Sequence, residues 1–213
     1  MKAAFDASIE IGNVLIAVNP GLSAISDRME GANALFIDCE GTGLGMVRSA
    51  QMVVDARSRD LISMIRTDGL GPVAIGAAVS AKPDALVLPQ VTTQKSLMDC
   101  LAHIGSADIA LIAQIETVEA VECLEALMQV DAVSAFLIGP NDLATAMGHP
   151  GEPNHPDVLA AVRSVAERLH TSCKAFGLPA LTKDAAKEWK ARGAQLLYVP
   201  LAAFQAMEYK NGT

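Results

Sequence analysis

Two acidic residues stand at the ends of two apolar runs in the second half of the chain. Glu116 ends the run IALIAQIE, and Asp142 ends the run VSAFLIGPND. The segment between them, VEAVECLEALMQV, has the apolar spacing of a helix. A strand, a helix and a strand would place both carboxylates at the carboxyl edge of neighbouring parallel strands, where α/β proteins collect their active sites. Adjacent carboxylates repel unless they share a proton or a cation, so the pair predicts a divalent ion such as Mg²⁺ or Mn²⁺.

The same two carboxylates have an alternative interpretation as helix caps. Asp142 opens the segment NDLATAMG, and an Asp before a helical turn is a common N-cap. Glu116 precedes VEAVECLE and could interact favourably with the dipole of that helix. The spacing alone does not decide between metal binding and capping.

An arginine follows another apolar run directly. Arg66 closes the run in MIRTDG, and its planar fork suits a carboxylate or the oxygen of a developing enolate. The alternative is a structural ion pair with Asp38, Glu40 or Asp68. Asp38 and Glu40 lie two apart and share one face if their strand continues. One of them could approach the metal through water while the other orients Arg66.

Further candidate residues follow the sixth apolar run. Gly139 and Pro140 are expected to supply backbone amides near the metal for a substrate carboxylate. The alternative is that the glycine serves only a tight turn. His149 and His155 lie in the loop GHPGEPNHP; they are weighed as catalytic bases against exposed loop residues, and the second interpretation is favoured.

The elements that must position these residues alternate between strands and helices. The apolar runs are continuous, as in buried parallel strands, and no linker divides the chain. The pattern predicts one (β/α)₈ TIM barrel domain over residues 1–213. The predicted strands are 14–18, 34–38, 61–66, 85–89, 109–116, 133–139, 178–182 and 195–200. The predicted helices are 22–29, 46–57, 73–80, 94–104, 118–130, 156–176 and 183–192.

The final helix of this barrel is predicted to be short or missing. After the eighth strand the sequence runs LAAFQAMEYKNGT. Either a short helix packs on its own barrel, or a neighbouring subunit covers the gap and meets Ala203, Phe204 and Met207.

Composition narrows the class of function. The chain of 213 residues is 51% hydrophobic with a net charge of −8, which argues for a large core and against a nucleic-acid partner. No apolar segment approaches the roughly 20 residues of a membrane span. The start, MKAAFDASIEIG, lacks the order of a signal peptide, and the four cysteines show no C-x-x-C pair. We therefore expect a cytoplasmic protein that handles a small molecule.

Four stretches together resemble the HpcH/HpaI aldolase / citrate lyase family of the phosphoenolpyruvate–pyruvate barrel superfamily. They are ALFIDCEG, ALVLPQV, IALIAQIET and AFLIGPNDLATAMGHPGEPNHPDV, of which the last is the most specific. The resemblance implies a metal-dependent carbon–carbon lyase that acts on 2-oxo acids or acyl-CoA thioesters. It also implies Mg²⁺, Mn²⁺ or Co²⁺ as the cofactor and a homo-oligomer, trimer or hexamer, that can exchange its last helix between subunits.

The resemblance also assigns roles to individual residues. It implies cleavage of a 4-hydroxy-2-oxo acid to pyruvate and an aldehyde through a metal-stabilised enolate. Arg66 matches the arginine that binds the oxo acid and stabilises its enolate. Asp38 and Glu40, placed beside it by their position in the sequence, complete the set of predicted catalytic residues. The remaining matches concern binding: the metal by Glu116 and Asp142, and the substrate by Arg66, Gln114, Gly139 and Pro140.

The sequence departs from the family pattern in places that leave two alternatives open. The aldolases carry a His after the acidic pair of the second strand, where this chain has Gly41. The short segment HIGSAD is closer to the citrate lyase β-subunit and malyl-CoA lyase branch, but Thr92 replaces an acidic residue usual there. The alternatives are an acyl-CoA lyase, which would need a basic patch, and a non-catalytic barrel that binds an oxo acid.

Overall fold

Eight parallel strands close into a barrel in the computed structural model, which describes residues 2–10, 14–21, 29 and 31–209. Each strand pairs with its sequence neighbours, and β8 pairs with β1 to close the ring. The strands are β1 Leu15–Asn19, β2 Ala34–Asp38, β3 Ile62–Arg66, β4 Ala85–Leu88, β5 Ala110–Ile115, β6 Val133–Ile138, β7 Phe176–Pro179 and β8 Leu196–Pro200. The TIM-barrel prediction is therefore confirmed.

Ten helices are described alongside these strands. They are α1 Lys2–Glu10, α2 Met46–Arg57, α3 Pro72–Ser80, α4 Gln94–Ile104, α5 Val118–Glu122, α6 Leu124–Met128, α7 Pro140–Ala146, α8 Pro156–Thr171, α9 Lys183–Ala191 and α10 Leu201–Tyr209. The helix predicted over 22–29 lies, apart from its last residue, outside the described residues. Within the described part of the chain, no helix combines the length and apolarity needed to cross a membrane.

The core has two layers. The outer layer packs the helices on the strands and contains, for example, Val53 and Leu97. The inner layer fills the barrel with side chains such as Phe36 and Met64. Helix α1, which the sequence analysis did not predict, adds the fully buried Phe5 to the inner layer beside the first residues of several strands. It therefore closes the amino-terminal end of the barrel and leaves the carboxyl end for the site.

Three predicted elements differ clearly from the structure in their bounds or continuity. The helix predicted over 156–176 ends at Thr171, because the chain turns into the left-handed region at Cys173 (φ 54°) and Lys174 N–H bonds back to Leu169. This turn lets β7 begin at Phe176, and its predicted end at Thr182 is instead the N-cap of α9. The helix predicted over 118–130 is interrupted at Cys123 and forms α5 and α6.

The last helix agrees with the prediction of a short final element. Helix α10 has nine residues, and its Phe204 is buried in the outer core layer beside strands β8 and β1. A short helix thus packs on its own barrel, as the first of the two predicted arrangements requires.

Candidate active site

A small cavity opens among the carboxyl ends of the strands. Its volume is about 120 Å³, well below the roughly 300–1,000 Å³ of sites for drug-sized ligands. A cavity of this size suits a compact substrate of few atoms. The polar and charged side chains of its described wall come from four strands, β3, β5, β6 and β8, or from the turn that follows the strand. The wall comprises Phe36, Arg66, Gln114, Leu137, Ile138, Gly139, Pro140, Asn141, Asp142, Pro179 and Tyr198.

Arg66 contributes a guanidinium that two carboxylates hold in place. The register of β2 and β3 sets Asp38 opposite Arg66, so Nε and Nη2 donate to the two oxygens of Asp38 at 2.8 and 2.7 Å. Nη1 lies 2.7 Å from Oε2 of Glu40, which follows the end of β2. These contacts raise the pKa of Arg66 above its ordinary value, against the effect of burial, and keep the group charged.

Glu116 is a fully buried carboxylate next to this cavity. Its Oε1 accepts hydrogen bonds from the backbone N–H of Gln90 at 2.7 Å and from Nε2 of the same residue at 3.0 Å. Its Oε2 accepts from Nε2 of Gln114. Gln90 holds a left-handed backbone conformation (φ 52°), which is uncommon outside glycine, and the conformation aims its N–H at the carboxylate. Three donors therefore fix the carboxylate beside the cavity wall.

The pKa of Glu116 is raised to about 7. Burial is the main cause, because it penalises the charged form. The hydrogen bond from Gln90 opposes this effect, while the negative charges of Asp142 and Glu40 add to it. Glu116 thus carries an incompletely compensated negative charge near neutral pH.

Neither Glu116 nor Asp142 caps a helix, so the capping interpretation was wrong. The N-cap of α5 is Thr117, whose hydroxyl accepts from the N–H of Ala120. The N-cap of α7 is Gly139, and Asp142 lies within the first turn, exposed and on the cavity wall. Both carboxylates keep oxygen lone pairs for another partner.

The backbone of Gly139 and Pro140 does not offer the predicted amides. Gly139 N–H already donates to the carbonyl of Ile115 at 3.0 Å, and proline has no N–H. The two residues line the cavity as an apolar surface instead. The prediction of their location was right, and the prediction of their hydrogen bonding was wrong.

Gly139 is required by the close approach of Glu116. A Cβ built on Gly139 would lie 2.8 Å from Oε2 and 2.9 Å from Cβ of Glu116, and 3.0 Å from Nε2 of Gln114. Its backbone dihedrals are open to any residue, so the restriction comes from space alone.

Gly139→Ala is therefore expected to destabilise the protein by about 1–3 kcal/mol through overpacking. Gly76→Ala is the matched control, because Gly76 lies inside α3 and a Cβ there meets no atom within 4 Å. The control should gain about 0.5–1 kcal/mol from helix propensity. Urea unfolding of both variants measures the difference, and equal shifts would contradict the close contact at Gly139.

The oxygen atoms around Glu116 suit a divalent cation. The side-chain Oε1 of Gln114 is buried and, within the part of the chain that is described, has no hydrogen-bond donor. Together with the carboxylates of Glu116 and Asp142 it makes an all-oxygen set, the type that Mg²⁺ and Mn²⁺ prefer. Glu116 and Asp142 are the residues that could hold such an ion.

A second group of candidate metal ligands lies away from the cavity wall. The rings of His149 and His155 stack at 3.6 Å between centroids, and a nitrogen of each lies 3.7 Å from Oδ2 of Asp157. Their ligand atoms lie within 4.8 Å of one another. His155 Nδ1 also accepts from the N–H of Asp157 as the N-cap of α8, which agrees with the favoured interpretation of structural loop histidines.

Two residues of the site were missed by the sequence analysis. Tyr198 lines the cavity from the middle of β8, and Asn19 at the end of β1 donates to its hydroxyl at 2.8 Å. The sequence does show a polar ring within an apolar strand at LLYVP, and this was the available signal.

Comparison with known proteins places the chain in a family. Residues 25–199 match HpcH/HpaI aldolase/citrate lyase. The chain therefore belongs to the HpcH/HpaI aldolase/citrate lyase family, as the four sequence stretches predicted. A crystal structure of a family protein from Burkholderia cenocepacia superposes with a TM-score of 0.86 over 98% of this chain and 96% of its own, at 19% identity, which supports the fold.

Two curated relatives carry aldolase names. The hydroxypyruvate/pyruvate aldolase of Pseudomonas aeruginosa is 29% identical over 144 residues, which are 68% of this chain and 50% of the relative. The pyruvate aldolase of Rhizobium etli is 47% identical over 83 residues, which are 39% of this chain and 32% of the relative. The matched region thus spans at most about half the length of these relatives.

Proposed function

We propose that the protein is a divalent-metal-dependent carbon–carbon lyase of the pyruvate-aldolase type. It would cleave a 4-hydroxy-2-oxo acid to pyruvate and an aldehyde through an enolate. The observation that carries this proposal is the small cavity that Arg66 and Asp142 line, with the buried carboxylate of Glu116 next to it. The names of the curated relatives support the same reaction class.

Arg66 is the residue assigned to the developing negative charge. When the carbon–carbon bond breaks, its electron pair becomes an enolate, and a fixed cationic donor stabilises that charge. Asp38 and Glu40 contact Arg66 and keep its fork in one orientation. We therefore assign them as positioning residues, which refines their predicted catalytic role.

Glu116 and Asp142 are the residues assigned to the cation. When bound, Mg²⁺, Mn²⁺ or Co²⁺ would supply Lewis-acid stabilisation of the substrate's oxo group. The buried amide of Gln114 lies between Glu116 and the cavity and is assigned to substrate contact. Gly139 and Pro140 shape the wall that the substrate meets.

The acyl-CoA alternative receives less support from the surroundings of the cavity. A CoA substrate needs cations for its phosphates, and the described wall contains Arg66 as its basic residue. Lys183, Lys187 and Lys190 gather along a separate groove beside α9 and α10. We therefore favour a free 2-oxo acid as substrate. A homo-oligomer, trimer or hexamer, stays a prediction, as does a cytoplasmic location.

Asp142→Asn is expected to remove metal-dependent turnover. Pyruvate release from 4-hydroxy-2-oxovalerate, followed after EDTA treatment and again after Mg²⁺ is restored, should require the metal in the native protein. The variant should lose about 100-fold or more in kcat/KM and in Mg²⁺ affinity, since it removes a charged ligand.

Asp157→Asn is the matched control, because Asp157 belongs to the separate group with His149 and His155. It should retain native turnover and metal affinity. If metal dependence instead follows Asp157, the assignment to Glu116 and Asp142 is wrong. Binding of pyruvate without any turnover would favour the non-catalytic barrel.

A further inference from the structure

Tyr198 places a phenol in the same cavity as Arg66. It lies within β8 with its ring edge against Phe36, at 4.8 Å between centroids and an interplanar angle of 76°. Phe36 also lies under the Arg66 guanidinium, which is 6.0 Å from the ring centroid. Tyr198 is thus held by packing on the side of the cavity formed by β8, β1 and β2.

The hydroxyl oxygen of Tyr198 accepts a hydrogen bond, and its own hydrogen is not used in that bond. Asn19 Nδ2 donates to the phenolic oxygen at 2.8 Å. The Asn19 amide cannot turn over freely, because its Oδ1 accepts the backbone N–H of Gly21 at 2.7 Å. The O–H of Tyr198 donates no hydrogen bond to any residue that the structure describes, whereas a buried tyrosine hydroxyl usually finds a partner. Its hydrogen is free to point at a ligand.

Few other groups on the cavity wall can exchange a proton. The ionisable side chains of the described wall are Arg66, Asp142 and Tyr198. Arg66 does not deprotonate in proteins and already uses its fork on Asp38 and Glu40. Asp142 is assigned to the cation. Burial raises the pKa of Tyr198, so the phenol carries its proton at neutral pH.

We propose that Tyr198 is the acid that protonates the pyruvate enolate, a role that rests on the proposed function. In cleavage, the C4 hydroxyl gives its proton to a water molecule and the C3–C4 bond breaks. The electron pair of that bond passes into the enolate and the aldehyde departs. The Tyr198 O–H then gives its proton to C3, which forms pyruvate. The phenolate takes a proton back from water, which balances the proton that the C4 hydroxyl released. In the reverse direction the phenolate removes a methyl proton from pyruvate.

Tyr198→Phe separates proton transfer from the rest of the site. Exchange of the pyruvate methyl protons in D₂O, followed by NMR with Mg²⁺ present, should fall by about 100-fold or more, the usual range for loss of a general acid or base. Oxaloacetate decarboxylation should stay within about threefold of native, because its bond cleavage makes the same enolate without a proton from Tyr198. Tyr209→Phe, which removes the other tyrosine of the chain, should leave both reactions unchanged.

The two reactions distinguish the possible failures. Suppose that the native protein decarboxylates oxaloacetate. If Tyr198→Phe then keeps native proton exchange, or loses both reactions to the same extent, the role of Tyr198 is overturned while the proposed function stands. A native protein that decarboxylates but exchanges no methyl protons overturns it as well. If the native protein performs neither reaction with any of the three metals, the proposed function itself fails. Selective loss of exchange supports the assignment.

Discussion

Glu116→Gln is expected to make the metal-free protein more stable above neutral pH, by about 3 kcal/mol, and to remove the proposed metal site. The gain arises because the native carboxylate is buried with its pKa raised to about 7, whereas the unfolded chain has the ordinary value. Glutamine carries no charge, and its oxygen can keep both hydrogen bonds from Gln90. Its new N–H₂ can donate to Gln114 once that amide rotates, which also satisfies the buried Oε1 of Gln114.

The sign of the pH dependence follows from proton binding. Between the ordinary pKa of a glutamate and about 7, folded Glu116 holds a proton that the unfolded chain has lost. Native stability therefore falls as pH rises through this window, and the full cost is present above it. The advantage of Glu116→Gln should be largest near about pH 8 and should vanish below about pH 4. Urea unfolding in EDTA across this range measures it.

The same variant should fail to respond to metal. Mg²⁺ bound at the proposed site would stabilise the native protein by mass action, and this increment should be lost with the Glu116 carboxylate. Glu125→Gln is the matched control, since Glu125 is exposed and its pKa is lowered by Arg168. The control should keep the Mg²⁺ response and gain no stability. If the free energy of unfolding of Glu116→Gln equals that of the native protein at both ends of the pH range, ionised Glu116 does not destabilise the fold as proposed.

The positions of the strand ends could be predicted from the sequence. Buried parallel strands are apolar along their whole length, so the first charged residue after each run marks the rim of the barrel. This rule located Arg66, Glu116 and Asp142 correctly beside one cavity. Helices α2 and α4 were predicted with their observed bounds, because both have clear apolar periodicity between loop residues.

The hydrogen bonding of the site could not be predicted in the same way. The left-handed turn at Gln90 and the use of the Gly139 N–H within the sheet depend on the final backbone path. The contact between Asn19 and Tyr198 joins β1 to β8, residues 179 positions apart, and exists only because the barrel closes. The spacing of residues in the sequence predicts which neighbours share a face of one strand, but it does not predict a contact between two distant strands.

Arg66→Lys is expected to lower kcat/KM for pyruvate release by about 10²–10³-fold while Mg²⁺ affinity stays within about twofold of native. In the native protein, Nε and Nη2 of Arg66 contact Asp38, and Nη1 contacts Glu40. Lysine keeps the positive charge but lacks this planar guanidinium. Its ammonium is a single point that cannot satisfy both carboxylates and still face the cavity. The loss should therefore appear in oxo-acid affinity and turnover, measured by calorimetric titration of pyruvate and by steady-state kinetics.

Arg168→Lys tests whether the effect belongs to the site or to the loss of any forked ion pair. Arg168 makes the same two-point contact with Glu125, at 2.9 and 2.6 Å, on the outside of the barrel. That pair is exposed, so its loss should cost little stability and leave kinetics unchanged. Native turnover in Arg66→Lys would mean that charge alone suffices at this position. Equal losses in both variants would trace the effect to folding, because only Arg66 of the two lines the cavity.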